Sequence, residues 1–398
     1  MTVRQRERRR SCVLIAGQLA ILYGRSIHAQ GESLMSQDEN KKSATTGARR
    51  KFLRSAGTVA GYSALMAMVP PGVRSAAWAA GSDAPEKKEV KIGFIPLTDC
   101  ASVVMASVNE FDKKYGIKIV PTKEASWASV RDKLVNGDID ASHVLYGLIY
   151  GLHLGVSGPK KDMAILMTLN HNGQAITLSK KLADHGGVDG KSVAALMQKE
   201  KREYTFAQTF PTGTHAMWLY YWLAANGVHP FKDVKSIVVP PPQMVANMRV
   251  GNMDGFCVGE PWGHRAIADG IGVTGITTQD IWKDHPEKVL GCTAEFVKQN
   301  PNTARAMTAA IIDAGRWIDA SLSNRQKMAE VVANTAYVNT SVDVINQRIL
   351  GRYQNGMGKT WDDPNHMKFY NDGMVNFPYL SDGMWFLTQH RRWGLLKT

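Results

Sequence analysis

In this 398-residue sequence, Thr209-Phe210-Pro211-Thr212-Gly213-Thr214-His215 is the segment best equipped to hold an anion. It is a Gly/Thr-rich turn that follows an apolar run and opens a helix. The first turn of a helix offers unpaired N–H groups and the positive end of its dipole, both of which favour negative charge. His215 adds a donor there, or a charge when protonated. The same string also makes a plain helix cap with a solvated histidine, and spacing does not separate the two readings. Trp127, just after Ser126, offers an indole N–H or simply packs. Asn170-His171-Asn172-Gly173-Gln174 groups several amides in what also reads as a turn. Lys288 reads on its own as a surface lysine. Glu260-Pro261-Trp262 either lines a cleft or closes a strand.

Other chemistry is poorly represented. No Walker loop, GxGxxG, HExxH or GxSxG pattern occurs, and no nucleophile–base pair stands out. The expectation is a binding protein, not an enzyme. The four cysteines, Cys12, Cys100, Cys257 and Cys292, form no CxxC pair. No metal or cofactor is therefore expected, and the thiols read as buried and free, with a Cys257–Cys292 bridge left open.

The elements that would position these residues alternate from Glu89 onward. Residues 91–96 read as a strand, 99–115 as a helix stopped by Gly116, and 117–121 as the next strand. Ser126 caps a helix with Val130 and Leu134 on one face, closed by Gly137, and 141–145 is a third strand. This βαβαβ order predicts a parallel sheet covered by helices. Strands at 204–208, 236–239 and 255–258, with helices at 214–225 and 243–250, repeat the alternation, and helix predominates after Asn300-Pro301. The expectation is an α/β, bilobal fold of two parallel-sheet lobes with a helical C-terminal return. Its ligand would lie in the crevice beyond the carboxyl ends of the strands.

The net charge of +13 is unevenly placed. The first 82 residues hold 13 Lys/Arg against four Asp/Glu, so nine of those charges sit there and nucleic acid is not an expected partner. Within that stretch Gly47-Ala48-Arg49-Arg50-Lys51-Phe52-Leu53-Arg54 reads as a twin-arginine export signal. An apolar run at 56–69, Pro70-Pro71-Gly72, and small residues at Ala77 and Ala79 complete the order a signal peptidase reads. The expectation is a leader over 1–80, in which Met35 is a second candidate start and 1–34 need not be translated. No apolar stretch reaches the roughly 18 residues of a membrane span. A soluble, monomeric periplasmic protein, delivered by the twin-arginine translocase, is expected.

Seven blocks together resemble the nitrate/nitrite/bicarbonate substrate-binding proteins of ABC transporters. They are Gly93-Phe94-Ile95-Pro96-Leu97-Thr98-Asp99-Cys100, Lys123-Glu124-Ala125-Ser126-Trp127, Asn172-Gly173-Gln174-Ala175-Ile176, and the segments at 210–215, 239–246, 256–262 and 282–288. The likeness spans nearly all of 89–398. It implies a type II periplasmic-binding fold, with lobe 1 at 81–178 plus 289–398 and lobe 2 at 179–288. It also implies partners: an inner-membrane permease and its ATPase. In the nitrate branch a Trp, a Gln, a His and a Lys hold the ion, which fall here on Trp127, Gln174, His215 and Lys288. In the bicarbonate branch a Glu replaces the Lys and calcium assists. With Lys288, the chain is similar to the nitrate branch, and exchange of Lys288 for Glu is expected to abolish nitrate binding. Nitrate only accepts hydrogen bonds, so a site made solely of donors and cations is expected; nitrite would fit the same site. A bicarbonate binder and a nitrate-sensing regulator are the alternatives within the resemblance.

Overall fold

The computed structural model describes residues 83–397, so the expected leader and Cys12 lie outside the described residues. Ten strands carry the fold: β1 (Glu89–Phe94), β2 (Lys118–Lys123), β3 (Ala141–Leu145), β4 (Met163–Thr168), β5 (Gln174–Ser179), β6 (Thr205–Gln208), β7 (Lys235–Val238), β8 (Gly255–Gly259), β9 (Gly272–Thr277) and β10 (Lys288–Thr293). They form two five-stranded sheets, ordered β2-β1-β3-β10-β4 and β7-β6-β8-β5-β9. β1, β2 and β3 pair in parallel, as do β6, β7 and β8.

Neither sheet is wholly parallel, which corrects the expectation from sequence. β10 runs antiparallel to β3 and β4, and β5 runs antiparallel to β8 and β9. The reason is connectivity. β5 and β10 are the strands laid down just after the chain crosses between the sheets, so each enters its new sheet from the crossing end. The first crossing takes place at residues 169–173, because β5 already belongs to the second sheet. The boundary drawn at 178 from sequence falls inside that strand. The two crossings lie side by side, with His171 bridged to Pro286.

Local signals explain several helix ends. Ser126 accepts from the Ser129 N–H and starts Trp127–Asn136, and Gly137, at φ 79°, ends it. The helix expected over 99–115 is broken. A 3-10 turn at Thr98–Cys100 leads into Ala101–Val108, and a second turn spans Lys113–Tyr115. Asp112 causes the break, since its carboxylate takes the N–H of Lys113 and of Ile119, turning the chain back into β2. Its local backbone bonds compete with a continued helix.

The helical return begins at Pro301–Asp319, with Pro301 in the first turn, where its missing N–H costs nothing. Ala304, Met307, Ile311, Ala314 and Ile318 repeat every three to four residues along its buried face. Helices Leu322–Val332, Val342–Ile349 and Leu380–Arg392 follow, with a small antiparallel ladder pairing Arg352–Gln354 with Thr360–Asp362. Two bonds tie the end of β8 to the loop after β1: Thr98 N–H donates to the Glu260 carbonyl at 2.8 Å, and the Trp262 indole donates to the Pro96 carbonyl at 2.8 Å. Cys100, Cys257 and Cys292 are buried free thiols. Cys257 and Cys292 sit in different sheets, which excludes the bridge left open from sequence. Among the described residues no helix is long and apolar enough to cross a membrane.

Candidate functional site

The crossing geometry brings the carboxyl ends of β1, β3, β6 and β8 to the same region as the first residues of β5 and β10. Gln174 opens β5 opposite Gly259, the last residue of β8, and Lys288 opens β10 opposite Leu145, the last residue of β3. Asn170, in the first crossing, fixes the start of β10. Its carbonyl accepts from Glu287 N–H at 3.1 Å and its side-chain oxygen from Lys288 N–H at 3.2 Å.

Lys288 Nζ donates to Asp99 Oδ2 at 2.7 Å and also to Glu287 Oε1. Asp99 stands in the 3-10 turn after β1, and its other oxygen meets His143 Nε2, on β3, at 2.5 Å. His215 lies in the first turn of Thr214–Ala225, which Gly213 caps without a side-chain bond. Its Nε2 is 3.0 Å from Glu287 Oε1 and its Nδ1 is 2.6 Å from Thr209 Oγ1. The Trp127 ring lies 5.5 Å from Lys288 Nζ and 5.7 Å from the His143 ring. Gln174 is placed by register. A methyl group built on Gly259 would sit 3.2 Å from Asp99 Oδ2 and 3.5 Å from His215 Nε2. Directly opposed residues of an antiparallel pair face the same side, so the Gln174 side chain projects onto that face too.

Asp99, Trp127, His143, Gln174, His215, Glu287 and Lys288 are each at most 1% exposed. Burial alone would raise the Asp99 and Glu287 carboxyls, but Lys288 overrides it in both. With His143 and His215 assisting, it holds each below the ordinary carboxylate range. Burial pushes His215 below the usual imidazole range; Lys288 acts in the same direction, and Glu287 opposes it. The Trp127 indole N–H, both amide atoms of Gln174 and Glu287 Oε2 have no hydrogen-bond partner among the described residues. Buried polar atoms are nearly always paired, so unpaired ones converging at one place mark a polar ligand site. Among the described residues no cluster suited to a metal ion occurs.

Trp127, Gln174, His215 and Lys288 thus stand together. The expectation of a site made only of donors and cations is corrected. Asp99 and Glu287 put two carboxylates against the lysine, and His143 joins them. Lys288 and Glu287 both face the cluster because Glu287 precedes the first residue of β10 and escapes the strand's strict alternation. Asp99 had a visible signal, an acid between the apolar strand and an apolar helix in Leu97-Thr98-Asp99-Cys100. His143 had none, since a histidine inside a five-residue buried strand reads as core. Glu260-Pro261-Trp262 closes β8 and links the sheets, with Glu260 paired to Arg348 at 2.6 Å.

Residues 83–333 match the family described as NMT1-like. The nitrate/nitrite binding protein NrtA of Synechocystis sp. is 40% identical over 325 residues, covering 79% of this chain and 72% of that protein. The crystal structure of the periplasmic nitrate-binding protein NrtA from Synechocystis superposes with a TM-score of 0.75 at 39% identity, covering 78% of this chain and 83% of that one. The bicarbonate-binding protein CmpA of Synechococcus elongatus is 30% identical over 336 residues, covering 80% of this chain and 74% of that protein.

Proposed function

This chain belongs to the NMT1-like family, and from that premise we propose that it is the substrate-binding component of an ABC importer that captures nitrate between its two sheets. It is a binding protein, not an enzyme. The observation that carries the reading is the convergence of the Lys288 ammonium, His215, the Trp127 indole N–H and the Gln174 amide at the sheet ends. Nitrate is planar, monovalent and acceptor-only, and charge-assisted donors are the strong ones for such an ion. Nitrite is acceptor-only as well and fits the same donors.

Bicarbonate is the second reading, favoured by one feature. Its O–H needs an acceptor, and Glu287 Oε2 is a buried acceptor without a partner among the described residues. A thermal-shift panel of nitrate, nitrite, bicarbonate with and without calcium, sulfate and taurine separates the readings. A ligand at about 100 times its dissociation constant stabilises by about 2.7 kcal/mol. Nitrate is expected to shift the melting point; a shift with bicarbonate or sulfonate alone would overturn the proposal. In calorimetry, His215→Ala should weaken nitrate binding by about 1–3 kcal/mol, as for a lost hydrogen bond to a charged partner.

The proposed workplace is the periplasm, reached by the twin-arginine translocase through Arg49-Arg50. Exchange of both arginines for lysine should leave the chain in the cytoplasmic fraction. The chain would work as a monomer, handing its ion to an inner-membrane permease driven by an ATPase.

A further inference from the structure

We propose that Glu287 makes anion capture at this site proton-coupled, so that each nitrate enters with one proton shared between Glu287 and His215. The inference rests on the anion-binding reading above and adds a co-ligand to it.

The argument is charge bookkeeping in a sealed space. The cluster contains two carboxylates, Asp99 and Glu287, one ammonium, Lys288, and two imidazoles, His143 and His215, all 0% exposed. Both carboxylates already bond the ammonium. The cluster's two carboxylates and one ammonium sum to one net negative charge before any ligand arrives. A monovalent anion would double that charge away from water, and uncompensated buried charge is strongly unfavourable. One added proton removes the excess.

The geometry names where it goes. An imidazolium donates from both nitrogens. His215 Nδ1 pairs with Thr209 Oγ1 at 2.6 Å, while its Nε2, 3.0 Å from Glu287 Oε1, has no hydrogen-bond partner among the described residues and keeps its N–H for the anion. His143 Nε2 meets Asp99 Oδ1 at 2.5 Å rather than Glu287. His285 meets the Pro286 carbonyl and the Thr278 hydroxyl rather than a carboxylate. The Cys100 and Cys257 thiols, pushed far up by burial, stay protonated. Burial keeps His215 below its usual range without ligand, which leaves it free to take a proton when an anion arrives beside it. Linkage then requires nitrate to bind more tightly as pH falls, by up to about tenfold per pH unit for one proton.

Calorimetric titration of sodium nitrate into the purified chain at about pH 7, in PIPES and in imidazole buffers, tests this. The apparent enthalpies should differ by the buffers' ionisation enthalpies multiplied by about one proton per nitrate. In Glu287→Gln that buffer dependence should vanish and the affinity become independent of pH. Thr209→Val, which removes the Nδ1 partner, should lower the uptake and serves if the Glu287 variant does not fold. Nitrate binding with equal enthalpies in both buffers overturns the inference and spares the function. Proton uptake that persists undiminished in both variants overturns the assignment to this pair. Nitrate that fails to bind at any pH overturns the anion reading and the inference together.

Discussion

Replacing Lys288 with Met should abolish nitrate binding and cost the fold about 3–5 kcal/mol, the usual loss on removing one partner of a buried ion pair. The proposed nitrate site would lose the ammonium at its centre. Asp99 and Glu287 would lose the ammonium that both bond, at 0% exposure and with no access to water. Urea unfolding measures the second effect and calorimetry the first. Adding Asp99→Asn to Lys288→Met should restore part of the stability, because one stranded carboxylate is gone, and none of the nitrate affinity. Lys288→Glu should be worse than Met, since it places a third carboxylate among the two. Wild-type affinity in either variant would remove Lys288 from the site and with it the nitrate reading.

Arg348→Met should destabilise by a comparable amount, about 3–5 kcal/mol, without adding or removing a ligand contact. Arg348, on the helix Val342–Ile349, bonds Glu260 Oε1 at 2.6 Å and Thr274 Oγ1 at 2.8 Å, and its guanidinium lies 4.7 Å over the Tyr353 ring. It fastens the helical return to the end of β8, one residue beyond Gly259. Burial already raises the Glu260 carboxyl above its ordinary range, and Arg348 is the main force holding it down. Without the arginine it rises further. A carboxyl raised in the folded state keeps its proton only there, so the stability it allows is present at low pH and lost as pH rises through the folded value. The Arg348→Met deficit should therefore widen from acid to neutral pH. Pairing it with Glu260→Gln should narrow the deficit and flatten the pH dependence. A flat profile in the single variant would show that Glu260 is not what the arginine neutralises.

The two predictions differ in how readable their residues were. Lys288 could be picked out because Trp282-Lys283-Asp284-His285-Pro286-Glu287-Lys288 is an unusual string in a chain-wide resemblance. The Arg348–Glu260 pair joins positions 88 residues apart, and neither residue stands in a pattern that points to the other.

What the sequence determined by itself was local or cumulative. Ser126 and Gly137 bounded a helix because a hydroxyl cap and a left-handed glycine act on their own neighbours. Thr214–Ala225 began where a Gly/Thr turn met an aromatic-rich run. The alternation of apolar runs and helices forecast α/β layers, and the ordered blocks forecast the family. Tertiary structure decided what depends on direction and distance. β5 and β10 run against their neighbours because of where the chain crosses between sheets, which no local string encodes. The charge at the site was decided in the same way. From sequence it was an ammonium with three further donors, one of them a histidine able to take a charge. Folding sets Asp99, from a turn, and Glu287, the residue just before β10, against that ammonium, and His143, from a buried strand, against Asp99. Electrostatic balance in a buried site depends on which charges are brought within a few ångströms, and only the fold supplies that.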